Sequence, residues 1–417
     1  MTLIADFFQK AQLSEASYAV FDASVFENNP DALRERLLAA NNSQFKGTFS
    51  DSQATAFVSR WRVVDQYTAP PFAFGVGGTG FSGTLFQNIQ SGGYVFAVRG
   101  TEPGFADLVA DISDIVVDGV AMDQLVDMYN YWQRLTTSPG VAYAAARLDT
   151  NAVETAQLLA LQLQIPIGGL SAYNAYVASL TSSGALLDTN LTGTATVRRI
   201  TRGSSSILFA GTELAFGSGK LTGADPLDVV GHSLGGHLAA AFTRLFPLVP
   251  AQAVTVNGAG FPTGSTPGLS GYALSNIQNA FAELNGSLSF NPAAISNVHG
   301  SGPNFVTMND QRGLVQPGST QEVFIEAFTF DTTFGHGVGQ MTDSLAMYDL
   351  FAQLDSQLRT APLSTVNDRL KPVFEAFSVN ALGSLEQSAN TLVKLLGLNF
   401  SLLGNGDARE GLFTRIN

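Results

Sequence analysis

No cysteine occurs among the 417 residues, which excludes disulfides, a thiolate nucleophile and any metal site built on sulfur, and leaves the redox compartment open. Basic residues are scarce. The 21 Lys and Arg stand against 34 Asp and Glu, a net charge of −13, and form no basic block, so a nucleic acid would find no electrostatic footing. Long apolar runs are missing too. No stretch reaches the about 18 uninterrupted apolar residues of a spanning helix, and the opening MTLIADFFQKAQLSEASY carries Asp6 where an export signal has an apolar block. Neither a membrane span nor a cleaved signal is expected. With 45% hydrophobic residues the chain can bury a large core, and it exceeds the usual domain of roughly 100–200 residues, so one elaborated domain or two are open.

What is present is a serine in a telling place. Residues 227–237 read LDVVGHSLGGH, an apolar run followed by Gly-x-Ser-x-Gly. A serine on a tight strand-to-helix turn holds unfavourable backbone angles, so Gly231 and Gly235 must lack a Cβ to clear it. Behind it, Leu234 to Phe246 reads as a helix closed by Pro247, whose amide donors would face an oxyanion formed at Ser233.

The chain around this turn reads as α/β. Residues 5–21 and 31–41 predict an N-terminal helical cap over about the first 50 residues. Trp61 to Tyr67, Gly83 to Asn88 and Tyr94 to Val98 predict strands, and the GVGGTG loop at 75–80 lacks the lysine of a phosphate-binding loop. A helix is expected within 105–135. Further strands are expected at Ala253–Val256, Ser296–Val298 and Glu322–Glu326, the rhythm of a mostly parallel sheet covered on both faces. A catalytic unit would span 51–360, interrupted by an insertion at 140–222 that contains a helix near Ala152–Gln164 and alternating pieces at 191–201 and 207–216. A helical extension follows from 361 to 417, ending as though the chain were the front of something longer.

A serine hydroxyl needs a base, an orienting acid and oxyanion donors to cleave an ester. Four histidines are candidates for the base: His232, His237, His299 and His336. In the hydrolase order of nucleophile, acid and base, His336 comes last, on a Gly-framed loop before a helix, and is the residue expected to serve. His232 is expected to pack or hydrogen-bond off the turn, and His237 to be buried against the sheet.

FAVRGTEPGFADLVADI at 96–112, GHSLGG at 231–236 and HGVGQMTDSLAMYDLF at 336–351, in this order, resemble the class 3 lipases of the α/β-hydrolase superfamily. The resemblance implies an α/β-hydrolase fold and a serine carboxylester hydrolase, with Ser233 as nucleophile, Thr101 as the first oxyanion donor and the amide of Leu234 as the second. The family's acid register falls on SGPNFVT, where Asn304 or Ser301 stands in place of a carboxylate. Asp310, six residues beyond Asn304, is then the expected acid, with Asn304 as the alternative. The implied substrate is an acylglycerol ester, the alternatives being a phospholipid cleaved at its first acyl position or a polyester. A reading of another class is a hydrolase-fold module that has lost its acid and binds lipid or a partner protein.

The insertion reads either as a lid working at an oil–water interface or as a subdomain sealing the core. No cofactor is expected, and acidic loops could hold structural calcium. By resemblance to bacterial lipases that leave the cell without a cleaved signal, the chain is expected to be extracellular, and otherwise cytoplasmic.

Overall fold

The computed structural model describes residues 4–26, 28–40, 49–69, 79–100, 115, 118–189, 195–202, 215–222, 225–263, 272–301, 314–325, 336–380, 410 and 412–414. Among the described residues the chain opens with helices α1 (Ile4–Ala16), α2 (Ala23–Phe26), α3 (Pro30–Ala39) and α4 (Asp51–Arg60). Local sequence explains their starts. Asn29 caps α3 ahead of a proline at its first position, and Ser50 with Gln53 forms a reciprocal capping box on α4. Strands β1 (Trp61–Thr68), β2 (Ser82–Asn88) and β3 (Tyr94–Val98) follow, then α5 (Met122–Thr136).

Among the described residues seven strands form the central sheet in the order β1-β2-β3-β7-β8-β10-β12, where β7 is Leu227–His232, β8 Ala251–Val256, β10 Ile295–Gly300 and β12 Ser319–Val323. β1 to β3 pair antiparallel, and from β3 to β12 every pairing is parallel. The parallel strands are near-continuous apolar runs because both faces are covered. Val230, Val254, Val256 and Val298 point into a core shared with α1 and with α10 (Val338–Leu354). Val98, Val229 and Ala253 point the other way, onto α5 and α8 (Leu234–Leu245). This is the α/β-hydrolase architecture the sequence predicts, a mostly parallel sheet flanked by helices.

Two polar ties hold the N-terminal helix, one to the sheet and one to α4. Lys10, 5% exposed, pairs with Asp228 on β7, and Gln53 Nε2 donates to the buried Glu15 at 2.9 Å. Among the described residues, no helix is long and apolar enough to cross a membrane.

The 140–222 segment is α/β, with the expected helix near 152–164 and a strand in the expected alternating piece at 191–201, while 203–214 lie outside the described residues. β4 (Ala146–Thr150), β6 (Ala195–Arg202) and β5 (Leu186–Thr189) make a separate antiparallel sheet, and between β4 and β5 stand α6 (Ala152–Gln162) and α7 (Leu170–Ser182). A small two-stranded ladder joins β9 (Phe261–Pro262) to β11 (Leu314–Val315). Helix α9 (Ala273–Glu283) leads to β10, and α11 (Ser356–Arg359) and α12 (Leu363–Asn380) follow α10. The helix expected within 105–135 begins at Met122. Most of the residues ahead of it, 101–114 and 116–117, lie outside the described ones, as do 381–409 of the helical extension expected at the C-terminus.

Candidate active site

Register brings the exits of three strands together. Val98 on β3 lies beside Gly231 on β7, which lies beside Thr255 on β8. Ser233 follows at φ 58° and ψ −124°, a conformation costing a non-glycine residue on the order of 1–3 kcal/mol. The surroundings over-determine it. Ser233 N–H donates to Val256 O at 3.1 Å, and Ser233 O accepts from the amides of Gly236, His237 and Ala259 at 2.9, 3.2 and 3.1 Å. The glycines around it are steric necessities. A Cβ on Gly231 would stand 2.1 Å from Gly235 O, and one on Gly235 would stand 2.2 Å from Val98 O. Ser233 is 1% exposed, and its Oγ has no hydrogen-bond partner among the described residues.

His336 stands just before α10, on the C-terminal side of the same sheet, and its ring centroid is 4.7 Å from that of His232. His232 joins the two halves of the site. Its Nε2 is 2.6 Å from His336 O, and because a carbonyl accepts, Nε2 must carry the proton. Nδ1 is then the acceptor for the Tyr18 hydroxyl at 2.8 Å, and the backbone of Gly100 hydrogen-bonds Tyr18 in turn. Asn257, at φ 44° after β8, donates Nδ2 to the same His336 carbonyl at 3.3 Å, and its Oδ1 accepts from Gly300 N at 2.9 Å. A continuous hydrogen-bonded chain thus runs from the end of β3 through Tyr18 and His232 to the backbone of His336.

Burial keeps these imidazoles neutral. It pushes the pKa of His232 down to about 4, and holds His336 well below the ordinary histidine value, with the neighbouring His232 adding to the shift. A neutral His336 can accept a proton from a hydroxyl. The imidazolium so formed would be costly in this setting without a carboxylate behind it, which is the physical reason a triad acid is needed.

The expected acid Asp310 and its alternative Asn304 lie outside the described residues, as does Thr101. Ser301 is described and is occupied structurally: its amide donates to Val323 O at 2.7 Å and its Oγ accepts from Ile325 N at 3.3 Å. Gly100, the residue before Thr101, packs directly on the turn, since a Cβ there would lie 2.5 Å from His232 O and 3.2 Å from Ser233 Cβ. Leu234 is the first residue of α8, which puts its amide at the helix N-terminus. His237 is buried one turn into α8, stacked on Phe261 at 4.0 Å, with Nδ1 3.2 Å from Gly260 O. His299 sits on β10, its Nδ1 3.1 Å from Gly300 O.

No family model matches the chain, and no curated protein matches it. Solved structures similar to it include the Lip2 lipase of Yarrowia lipolytica, at 12% identity over 79% of this chain and 81% of that one, with a TM-score of 0.31. The nonglycosylated form of that lipase is similar at 14% identity over 77% and 78%, with a TM-score of 0.33. The lipase of Rhizopus microsporus var. chinensis is similar at 12% identity over 78% and 84%, with a TM-score of 0.26.

Two residues of this site were missed in the sequence, Tyr18 and Asn257. Tyr18 lies 214 residues from its partner His232, so no local pattern marks it. Asn257 was open to notice as the Asn-Gly that ends β8, a dipeptide suited to positive φ.

Proposed function

We propose that this protein is a serine carboxylester hydrolase that cleaves acylglycerol esters through an acyl-enzyme on Ser233. The observation that carries the reading is Ser233 itself, a strained residue at the end of a buried parallel strand, whose hydroxyl has no hydrogen-bond partner among the described residues and whose neighbour His232 has the His336 ring 4.7 Å away. Ser233 Oγ attacks the ester carbonyl as His336 takes its proton. The tetrahedral oxyanion accepts from the amide of Leu234 and from Thr101, and collapse transfers the proton to the departing alcohol. Water then attacks the acyl-enzyme by the same route, releasing the acid and freeing Ser233. Asp310 orients His336 and stabilises its charged form.

The test is a series of p-nitrophenyl esters from butyrate to palmitate, assayed on the wild type and on Ser233→Ala, Asp310→Ala and Asn304→Ala. Ser233→Ala is expected to abolish turnover, and Asp310→Ala to lower kcat by a factor on the order of 10⁴. A wild type no faster than Ser233→Ala would remove the hydrolase reading. Full activity of Asp310→Ala, with loss in Asn304→Ala, would move the orienting role to Asn304.

A further inference from the structure

Helices α6 and α7, joined by the 3-10 turn Ile165–Ile167, form a hairpin, and no charged residue occurs from 155 to 187. Its base is fixed. Leu158, Leu180 and Leu187 pack into a small core of their own with Val197 of β6. At the rim of this core Arg199 pairs with Glu154 at 2.8 Å, and Arg198 joins Asp123 of α5 to Asp188 at 2.6 and 3.1 Å.

The direction of the hairpin follows from its contacts along α9. Gly184 lies against Glu283, Thr181 O accepts from Asn279 Nδ2 at 2.8 Å, and the hydroxyl of Tyr173 shares a hydrogen bond of 2.5 Å with that of Tyr272, just ahead of α9. Helix α7 therefore runs parallel to α9. Because β8 and β10 are parallel, α9 between them runs back against both, and its N-terminus lies at the C-terminal edge of the sheet. Ser233 stands at that edge. The chain beyond Tyr173 passes Tyr272 on this side and ends in a tip where Leu163 is 80% exposed, Ile167 84% and Leu170 51%.

We propose that this tip is a fixed anchor that enters the surface of aggregated neutral ester lipid and holds the Ser233 edge of the sheet toward it. The proposal rests on the hydrolase reading, which makes such lipid the substrate. The absence of charge across the hairpin fits immersion in an apolar phase, where a bare Lys or Asp would be penalised. Tyr173 and Tyr176 stand below the tip, partly buried, at the level where amphipathic rings meet a lipid headgroup layer. A protein partner would require roughly 20–30 residues a side, far more than this tip offers. The net charge of −13 disfavours an anionic surface and leaves a neutral one. The anchor needs no opening motion, since its apolar side chains are already outside.

The test is the triple variant Leu163→Ser, Ile167→Ser, Leu170→Ser in the full chain, made both in the active protein and on Ser233→Ala. The probe is a triolein emulsion coated with phosphatidylcholine, with binding read by flotation. The Ser233→Ala chain is expected to float with the droplets, and the triple variant to bind about tenfold or more weakly. In the active protein, emulsion hydrolysis should fall with binding, while hydrolysis of dissolved p-nitrophenyl butyrate stays within about twofold, as expected for surface changes far from the reacting atoms. Undiminished droplet binding by the triple variant overturns the anchor. So does an equal loss on the dissolved ester, or a self-association in sedimentation that the triple variant abolishes, which would assign the tip to a second copy of the chain. Tip-dependent binding by a chain that cleaves no ester sinks the hydrolase reading and leaves the anchor standing.

Discussion

Replacing His237 with Asn should make the protein less sensitive to acid. The ring is buried, stacks on Phe261, and donates Nδ1–H to Gly260 O, so when neutral it carries its proton on Nδ1. Burial lowers its pKa from 6.5 to about 4. Between those values the unfolded chain takes up a proton that the native chain refuses, so stability declines as pH falls through this window. At about 1.4 kcal/mol per pH unit, the loss reaches about 3 kcal/mol at pH 4, a large share of the roughly 5–15 kcal/mol that holds a domain folded. Asn keeps a donor near Gly260 and does not titrate. It lowers stability at pH 7 by about 1–3 kcal/mol through lost packing, and removes the acid-dependent part. His232 loses stability on acidification in the same way, whereas Asp127, raised to about 6 by burial, binds its proton more tightly in the native state and gains. Both groups are present in wild type and variant, and they cancel in the difference. Urea unfolding followed by the fluorescence of buried Trp61 and Trp132, at pH 7 and pH 4, reads that difference directly. Equal loss of stability in the two proteins would refute the argument.

Gly235→Ala drives a methyl to 2.2 Å from Val98 O and 2.8 Å from the carbonyl carbon of Arg99, and should cost about 2 kcal/mol or more, seen as a lower Tm, together with loss of ester turnover. His232→Phe removes the donor at 2.6 Å from His336 O and should lower kcat about 10–100-fold with little change in KM, because a displaced base is felt in the chemical step. Asn257→Ala releases the weaker second donor at 3.3 Å and should have a smaller effect of the same kind; a rise in KM alone in either variant would place these residues in substrate binding instead.

Much of the sheet was legible because its strands are strongly patterned. Tyr94–Val98 is found as expected, and the other central strands lie within a few residues of expectation. Gly-x-Ser-x-Gly was legible because its chemistry is local: the steric demand at Ser233 falls on residues two positions away. The insertion was harder. ARLDT at β4 carries charge in the middle of a short strand, and its partner β6 lies about fifty residues on, so the pairing that makes it a strand is invisible in a local window. The polar frame around His336 was illegible for the same reason, since Tyr18, His232, Asn257 and His336 are drawn from four distant segments.

The packing of α1 across β7 has a consequence for synthesis. Lys10 is 218 residues from Asp228, and Tyr18 is 214 from His232. At about 5–20 residues per second, the first helix leaves the ribosome on the order of 10–40 s before the strand it belongs against exists. Through that interval Ile4, Phe7, Phe8 and Ala11 lack β7 and α10, the elements that α1 packs against most. A newborn chain is therefore a client for holding factors until β7 emerges, and a translation product cut short before it displays a permanently bare helix by which proteolysis can know it.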